Sequence, residues 1–175
     1  FKKIMKTVVI FGGAGFVGKH IIRRIAKNGY KIIVPHQNQI NEANLRLIGS
    51  TGQIIPIRFT SLKDQKIFSL IVNADVIINL KTLWDENRYS YKHGILNFNI
   101  KLVDNIKKNK KICQFIFFSG IGVDQKSNSQ RSLAIYQSEN YIKNNLKNSI
   151  IIRPGIVIGG GDQFFKGLLP LFKKS

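Results

Sequence analysis

Three glycines at three-residue spacing, Gly12, Gly15 and Gly18, stand where a short apolar run gives way to an amphipathic one. Backbone at such a place can come close to a ligand because no side chain intervenes. In Gly12-Gly13-Ala14-Gly15-Phe16-Val17-Gly18 the first glycine permits a tight turn. Gly15 admits a pyrophosphate, and Gly18 lets the following helix pack closely on a sheet. The N–H groups that open this helix, and its dipole, favour negative charge. A glycine string alone is a weak signal. A strand before it and a helix after it supply the context of a dinucleotide cradle.

The surrounding pattern supplies both. Thr7–Phe11 is a β-branched, apolar run that predicts a buried strand. After the glycines, Val17, Ile21, Ile22 and Ile25 share one helical face and Lys19, Arg23, Arg24 and Lys27 another, with Asn28-Gly29 closing the helix. Further strands are expected at Lys31–Val34, ending at Pro35, and at Gln53–Arg58, Val76–Leu80, Gln114–Ser119 and Ser149–Arg153. Helices are expected around Asn41–Leu47, opening at Ser61–Asp64, over Tyr91–Lys108 and over Ser132–Leu146. Strands alternating with helices, most of them apolar on both faces, define an α/β fold with a doubly wound parallel sheet. This is the Rossmann arrangement.

Composition sets the outer bounds. The 175 residues suffice for one well-buried domain, read as residues 1–175. No apolar stretch approaches the roughly 20 residues of a membrane span. Phe1-Lys2-Lys3-Ile4-Met5 runs straight into a strand, so no signal peptide is expected, and Met5-Lys6-Thr7 resembles a bacterial start. The single Cys113 excludes an internal disulfide and a Cys-based metal site, and it suits a cytoplasmic compartment. No metal is expected. Against 28 basic residues stand 9 acidic ones, a formal charge of +19. Such a charge could attract a polyanion. The lysines are scattered, however, and accompany heavy use of Ile and Asn, as an AT-rich genome produces. The densest run, Lys107-Lys108-Asn109-Lys110-Lys111, falls where a helix should end, where cations suit the dipole.

The spacing G-x-x-G-x-x-G resembles that of extended short-chain dehydrogenases, in the NAD-dependent epimerase/dehydratase superfamily. Phe11–Gly18 is similar in particular to the opening of the atypical members grouped as the 39 kDa subunit family of respiratory complex I. The likeness continues through Ile33-Val34-Pro35, Leu45–Gly49, Gly52-Gln53, Ala74–Leu80, Arg153–Gly159 and Asp162–Phe165. Members run on for a further hundred residues or more, so most of the C-terminal substrate region is expected to be missing.

The resemblance implies a dinucleotide coenzyme outside the carboxyl ends of the strands. Gly12, Gly13, Ala14, Gly15, Phe16, Val17 and Gly18 would hold its phosphates, and His36 and Gln37 would face the adenine ribose. Ser61 and Leu62 would lie near the adenine, and Leu80, Lys81 and Thr82 near the ribose and pyrophosphate. Ser119 and Pro154 would lie toward the nicotinamide. No carboxylate follows the second strand in Pro35-His36-Gln37-Asn38, which favours NADP(H) over NAD(H); relatives often carry Arg nearby, and Gln37 departs from that.

Active members carry Ser and then Tyr-x-x-x-Lys, the lysine making the tyrosine proton available. Here Tyr136 is followed four residues later by Asn140, and the register that keeps Ser138 in place puts Ile135 and Glu139 at the two positions. Neither register supplies both partners, so no catalytic residue is expected, with Ser119 and Tyr136 as degenerate candidates. The favoured expectation is a non-catalytic NADP(H)-binding subunit or stability factor at complex I, peripheral to the inner membrane or on the matrix face. The alternatives are an active oxidoreductase or sugar-nucleotide epimerase, and a basic nucleic-acid-binding module.

Overall fold

The computed structural model describes residues 5–87, 89–109 and 111–161. Six strands run in chain order: β1 (Thr7–Phe11), β2 (Lys31–His36), β3 (Ile54–Arg58), β4 (Val76–Asn79), β5 (Gln114–Phe118) and β6 (Ser149–Ile152). All pairings are parallel, in the spatial order β3-β2-β1-β4-β5-β6. The order reverses at β1, which makes the crevice beside its carboxyl end the switch point where such sheets take ligands.

Five α-helices connect the strands: α1 (Phe16–Ala26), α2 (Glu42–Arg46), α3 (Gln65–Val72), α4 (Phe98–Ile106) and α5 (Gln130–Asn145). Helices α2, α3 and α5 begin at Asn41, Asp64 and Ser129, each of which accepts a backbone N–H of the first turn. One core cluster joins α3, α4 and α5 to the sheet through Ile67, Ile71, Leu102, Ile135, Ile142, Phe115 and Phe117. On the other face, Ile22 and Ala26 of α1 and Leu45 of α2 cover Val8, Ile10, Ile32, Val34 and Ile54.

Three local features differ from the sequence expectation. Strand β2 does not stop at Pro35 but continues to His36, in register with Ile57 and Arg58. Its register with β1 reaches only Ile33, so Pro35 lies where β2 is locally an edge and a missing N–H costs no ladder bond. The buried stripe of α1 is Gly18, Ile22 and Ala26, with Val17, Ile21 and Ile25 on its flank. The helix expected over Tyr91–Lys108 opens with a π-helical turn, Lys92–Asn97. There Gly94 makes room for Leu83, whose Cγ would stand 3.0 Å from an added Cβ. Outside α1 and α2 the second sheet face is less covered: Ile150 and Ile152 of β6 remain exposed.

Candidate functional site

At the switch point Gly12 has φ +76°, and a Cβ there would stand 2.8 Å from the Leu80 carbonyl carbon. Close approach of β1 to the end of β4 therefore requires glycine. A Cβ on Gly18 would lie 2.6 Å from Gly13 Cα, so this glycine seats the helix on the turn itself rather than on the sheet. Gly15 differs from both. Its φ of −73° suits any residue, and an added Cβ would meet only Gly12 O, at 3.3 Å. Apart from that one close backbone contact, the space beside Gly15 is open.

Gly15 is the N-cap of α1 and provides no side-chain cap. The first intrahelical bond runs from Lys19 N–H to Gly15 O at 3.0 Å. The N–H groups of Phe16, Val17 and Gly18 precede it and have no carbonyl partner one turn back. No acidic residue occupies the first turn. An open cradle with unpaired helix-end donors can hold a phosphate, so the residues present fit a pyrophosphate. The side chains of Phe16 and Val17 turn elsewhere, lining an apolar cavity of about 350 Å3 between α1 and Val157-Ile158-Gly159. Only their backbone is directed to the cradle.

Around the ends of β2, β3 and β4 lies a cleft of about 130 Å3 whose wall includes Gln37, Ser61, Leu62 and Lys81. Four residues singled out by the sequence are thus brought together from three loops. Leu62 itself is buried in the core, and Gln37 donates to Thr60 O at 3.1 Å. Lys81 holds its Nζ 4.1 Å from the centre of the Phe98 ring, and burial lowers its pKa. The turn carrying Lys81 is shaped by two buried asparagines the sequence reading passed over. Asn79 Nδ2 donates to Asn99 Oδ1 at 2.7 Å, while Asn79 Oδ1 accepts from Lys81 N–H at 3.0 Å. The Leu80 side chain packs into the α1 side of the core, and Thr82 Oγ1 accepts from Arg131 at 3.0 Å.

His36, expected to face the adenine ribose, has both ring nitrogens engaged within the chain. Its ring is buried, with Nδ1 3.0 Å from Asn38 O and Nε2 3.0 Å from Glu42 Oε1. Glu42 also accepts from Arg46 at 2.8 Å. A carboxylate therefore does reach the end of β2, delivered by α2 rather than by the residues directly after the strand. The charge argument from Pro35–Asn38 needs that correction: the carboxylate is present, and His36 and Arg46 engage it.

At the far end of the sheet, Ser119 Oγ donates to Glu139 Oε1 at 2.5 Å, and Arg153 clamps the same carboxylate through Nε at 2.8 Å and Nη2 at 2.5 Å. Burial pushes the Glu139 carboxyl up, but Arg153 and Ser119 outweigh it and hold the pKa below the ordinary value. Of the two possible registers on α5, it is Ile135 and Glu139 that face inward, both buried. Tyr136 instead donates to Gln125 Oε1 at 2.9 Å. Pro154 follows Arg153, and its carbonyl accepts from Ile121 N–H at 3.0 Å. Among the described residues no group of His, Cys, Asp and Glu could hold a metal ion.

Strand order, glycine turn and cleft together define a nucleotide-binding fold of the Rossmann class. Within it, the chain belongs to the NmrA-like family, whose pattern it matches over residues 5–175. It is 28% identical over 170 residues to the Arabidopsis thaliana mitochondrial NADH dehydrogenase [ubiquinone] 1 alpha subcomplex subunit 9, covering 96% of this chain and 42% of that protein. The Neurospora crassa mitochondrial NADH-ubiquinone oxidoreductase 40 kDa subunit is 22% identical over 163 residues, covering 93% and 43%. The chain thus spans less than half the length of the curated relatives it matches. Among solved structures, a putative epimerase from Burkholderia cenocepacia superposes with a TM-score of 0.73 at 12% identity, covering 95% of this chain and 59% of that one. Bordetella bronchiseptica WbmH, in complex with NAD+, gives 0.71 at 19%, covering 97% and 62%. These structures share the fold. Among the described residues no helix is long and apolar enough to cross a membrane.

Proposed function

We propose that this chain is the NADP(H)-binding part of a non-catalytic subunit that works beside respiratory complex I, as its relatives' names suggest. The cradle at Gly12–Gly18 holds the pyrophosphate through backbone N–H groups, and the cleft at Gln37, Ser61, Leu62 and Lys81 takes the adenosine. Ser119 and Pro154 border the nicotinamide end. NADP(H) would supply hydride chemistry wherever a suitable acid–base pair stood beside it.

One observation carries the non-catalytic reading: Ser119 and Arg153 close on the buried carboxylate of Glu139. Where an active relative needs a cation beside a tyrosine, this chain has a carboxylate beside an isoleucine. The Ser119 hydroxyl is spent on Glu139. The Tyr136 hydroxyl is bound to Gln125, with Asn140 four residues on. General acid–base catalysis contributes about 10²–10⁴-fold, so its loss leaves little turnover. The coenzyme then serves as a structural element.

The test pairs binding with turnover. Calorimetry on the full-length protein should give saturable NADPH binding, tighter than NADH. The same sample, given NADPH and a panel of carbonyl substrates, should not oxidise it. Rapid oxidation that Tyr136→Phe abolishes would overturn the non-catalytic assignment and favour an active reductase.

A further inference from the structure

The polar side chains at the end of β2 are already engaged. His36 and Arg46 share Glu42, and the Gln37 amide donates to Thr60 O. A phosphate on the adenosine ribose would therefore find little free charge in the residues that follow β2, and Arg58, exposed at the end of β3 in register with His36, does not line the cleft. The same cleft, however, is bordered on its β4 side by Lys81 and Lys101, and on its outer rim by His93 stacked on Tyr89, ring centroids 5.3 Å apart. No acidic side chain lines it among the described residues.

Lys81 is the unusual member. Its ammonium is partly withdrawn from water, yet among the described residues it has no carboxylate and no hydrogen-bond acceptor, only the face of Phe98 at 4.1 Å. A desolvated cation without a counter-charge is costly, and its pKa is correspondingly lowered by burial. A bound anion would remove that cost. Lys101 lines the same cleft from α4, one turn beyond Phe98, and is exposed with no ion pair among the described residues.

We propose that Lys81 and Lys101, from the β4–α4 side of the cleft, form the receptor for the phosphate on the adenosine ribose and so set the preference for NADP(H). Gln37 and Lys81 line one cavity, so a ribose seated at Gln37 shares its space with the Lys81 side chain. This rests on the coenzyme-binding reading above and assigns its selectivity to residues distant in sequence from the end of β2.

The test measures Kd for NADPH and NADH, and for adenosine 2′-phosphate and adenosine 5′-phosphate as half-ligands. The proteins are wild type, Lys81→Met and Lys101→Gln. Methionine keeps a stem to pack on Phe98, and a thermal melt establishes that each variant is folded. Removing one charged hydrogen-bond partner should cut the NADPH:NADH selectivity ratio by about 10- to 100-fold for Lys81→Met. For Lys101→Gln, at the exposed rim, the ratio should fall by about 2- to 5-fold. The preference for the 2′-phosphate half-ligand should fall in parallel and weaken with salt. Equal loss for both coenzymes in folded Lys81→Met places the lysine on a shared part of the ligand and overturns the inference. So does an unchanged ratio, or a wild-type preference for NADH. If wild type binds neither coenzyme, the coenzyme-binding reading itself fails, and the inference falls with it.

Discussion

Gly15 offers a perturbation that separates binding from folding. Its backbone, φ −73° and ψ 179°, is open to any residue, and an added Cβ would meet only Gly12 O at 3.3 Å. Replacing glycine where the geometry is compatible stabilises a fold by about 0.4–1 kcal/mol through the unfolded chain. Against this, Ala or Val is a poorer N-cap than Gly by roughly 0.5–1 kcal/mol. The two effects nearly cancel, so the melting temperature of Gly15→Ala or Gly15→Val should stay within about 4 °C of wild type.

Binding should respond very differently. A Val side chain at Gly15 would stand in the open cradle, between an incoming phosphate and the N–H groups of Phe16 and Val17. Each hydrogen bond to a charged group is worth about 1.5–3 kcal/mol, so losing two costs about 3–6 kcal/mol. At 1.4 kcal/mol per decade, Kd for NADPH should rise about 10²- to 10⁴-fold. Calorimetric titration alongside a thermal melt provides both readouts. A folded Gly15→Val protein with unchanged NADPH affinity would refute the placement of the phosphates.

Gly18→Ala should do the opposite, lowering stability directly. Its Cβ meets Gly13 backbone at 2.6 Å, which no rotamer change can relieve, and overpacking of this kind costs about 1–3 kcal/mol or more by thermal melt. Glu139→Gln should cost about 1–3 kcal/mol, because Arg153, with its side chain 43% exposed, can turn to water while the interior loses a charged acceptor. The folded pKa of Glu139 lies below its unfolded value, so its contribution is complete above that value and is lost as pH falls through the folded pKa. The acid limb of a pH–stability curve should therefore flatten in Glu139→Gln, and an identical limb would disprove the assignment. Burial, then the nearby Asp75, push the Cys113 thiol up to about 11. A thiol reagent at neutral pH should accordingly label Cys113 only on unfolding, and prompt labelling of the native protein would contradict its burial.

Sequence pattern was sufficient for the sheet because its information is local. Each strand is a short apolar run, and the glycine turn between β1 and α1 is contiguous, so Thr7–Phe11 emerges with the same bounds in both descriptions. What eluded the pattern was long-range. Glu139 meets Ser119 across 20 residues and Arg153 across 14, and the Asn79–Asn99 pair spans 20. Helical periodicity says that positions 135 and 139 share a face, but only packing against the π-helical turn, α4 and β6 decides that this face, rather than that of Tyr136 and Asn140, turns inward. Likewise, Pro35 looks like a stop until β1 and β2 are seen to part company before it.

The few acidic residues of this basic chain show why the charge at the cleft carries meaning. Eight of them lie among the described residues, Glu42, Asp64, Asp75, Asp85, Glu86, Asp104, Asp124 and Glu139, and each accepts a hydrogen bond. Some fix turns or helix starts, as Asp64 and Asp85 do. Others tie elements together, as Asp75 holds Thr7 N–H and Lys111. Carboxylates so occupied do little to neutralise the lysines, most of which simply stay in water. Arg131 is drawn partly inward, but its donors reach Leu83 O at 2.7 Å and Thr82 Oγ1 at 3.0 Å. Lys81 is drawn inward with none of these compensations. Acceptors meet Arg131, the other described cation drawn inward, while Lys81 faces an open cleft, which is the observation on which the proposed phosphate receptor rests.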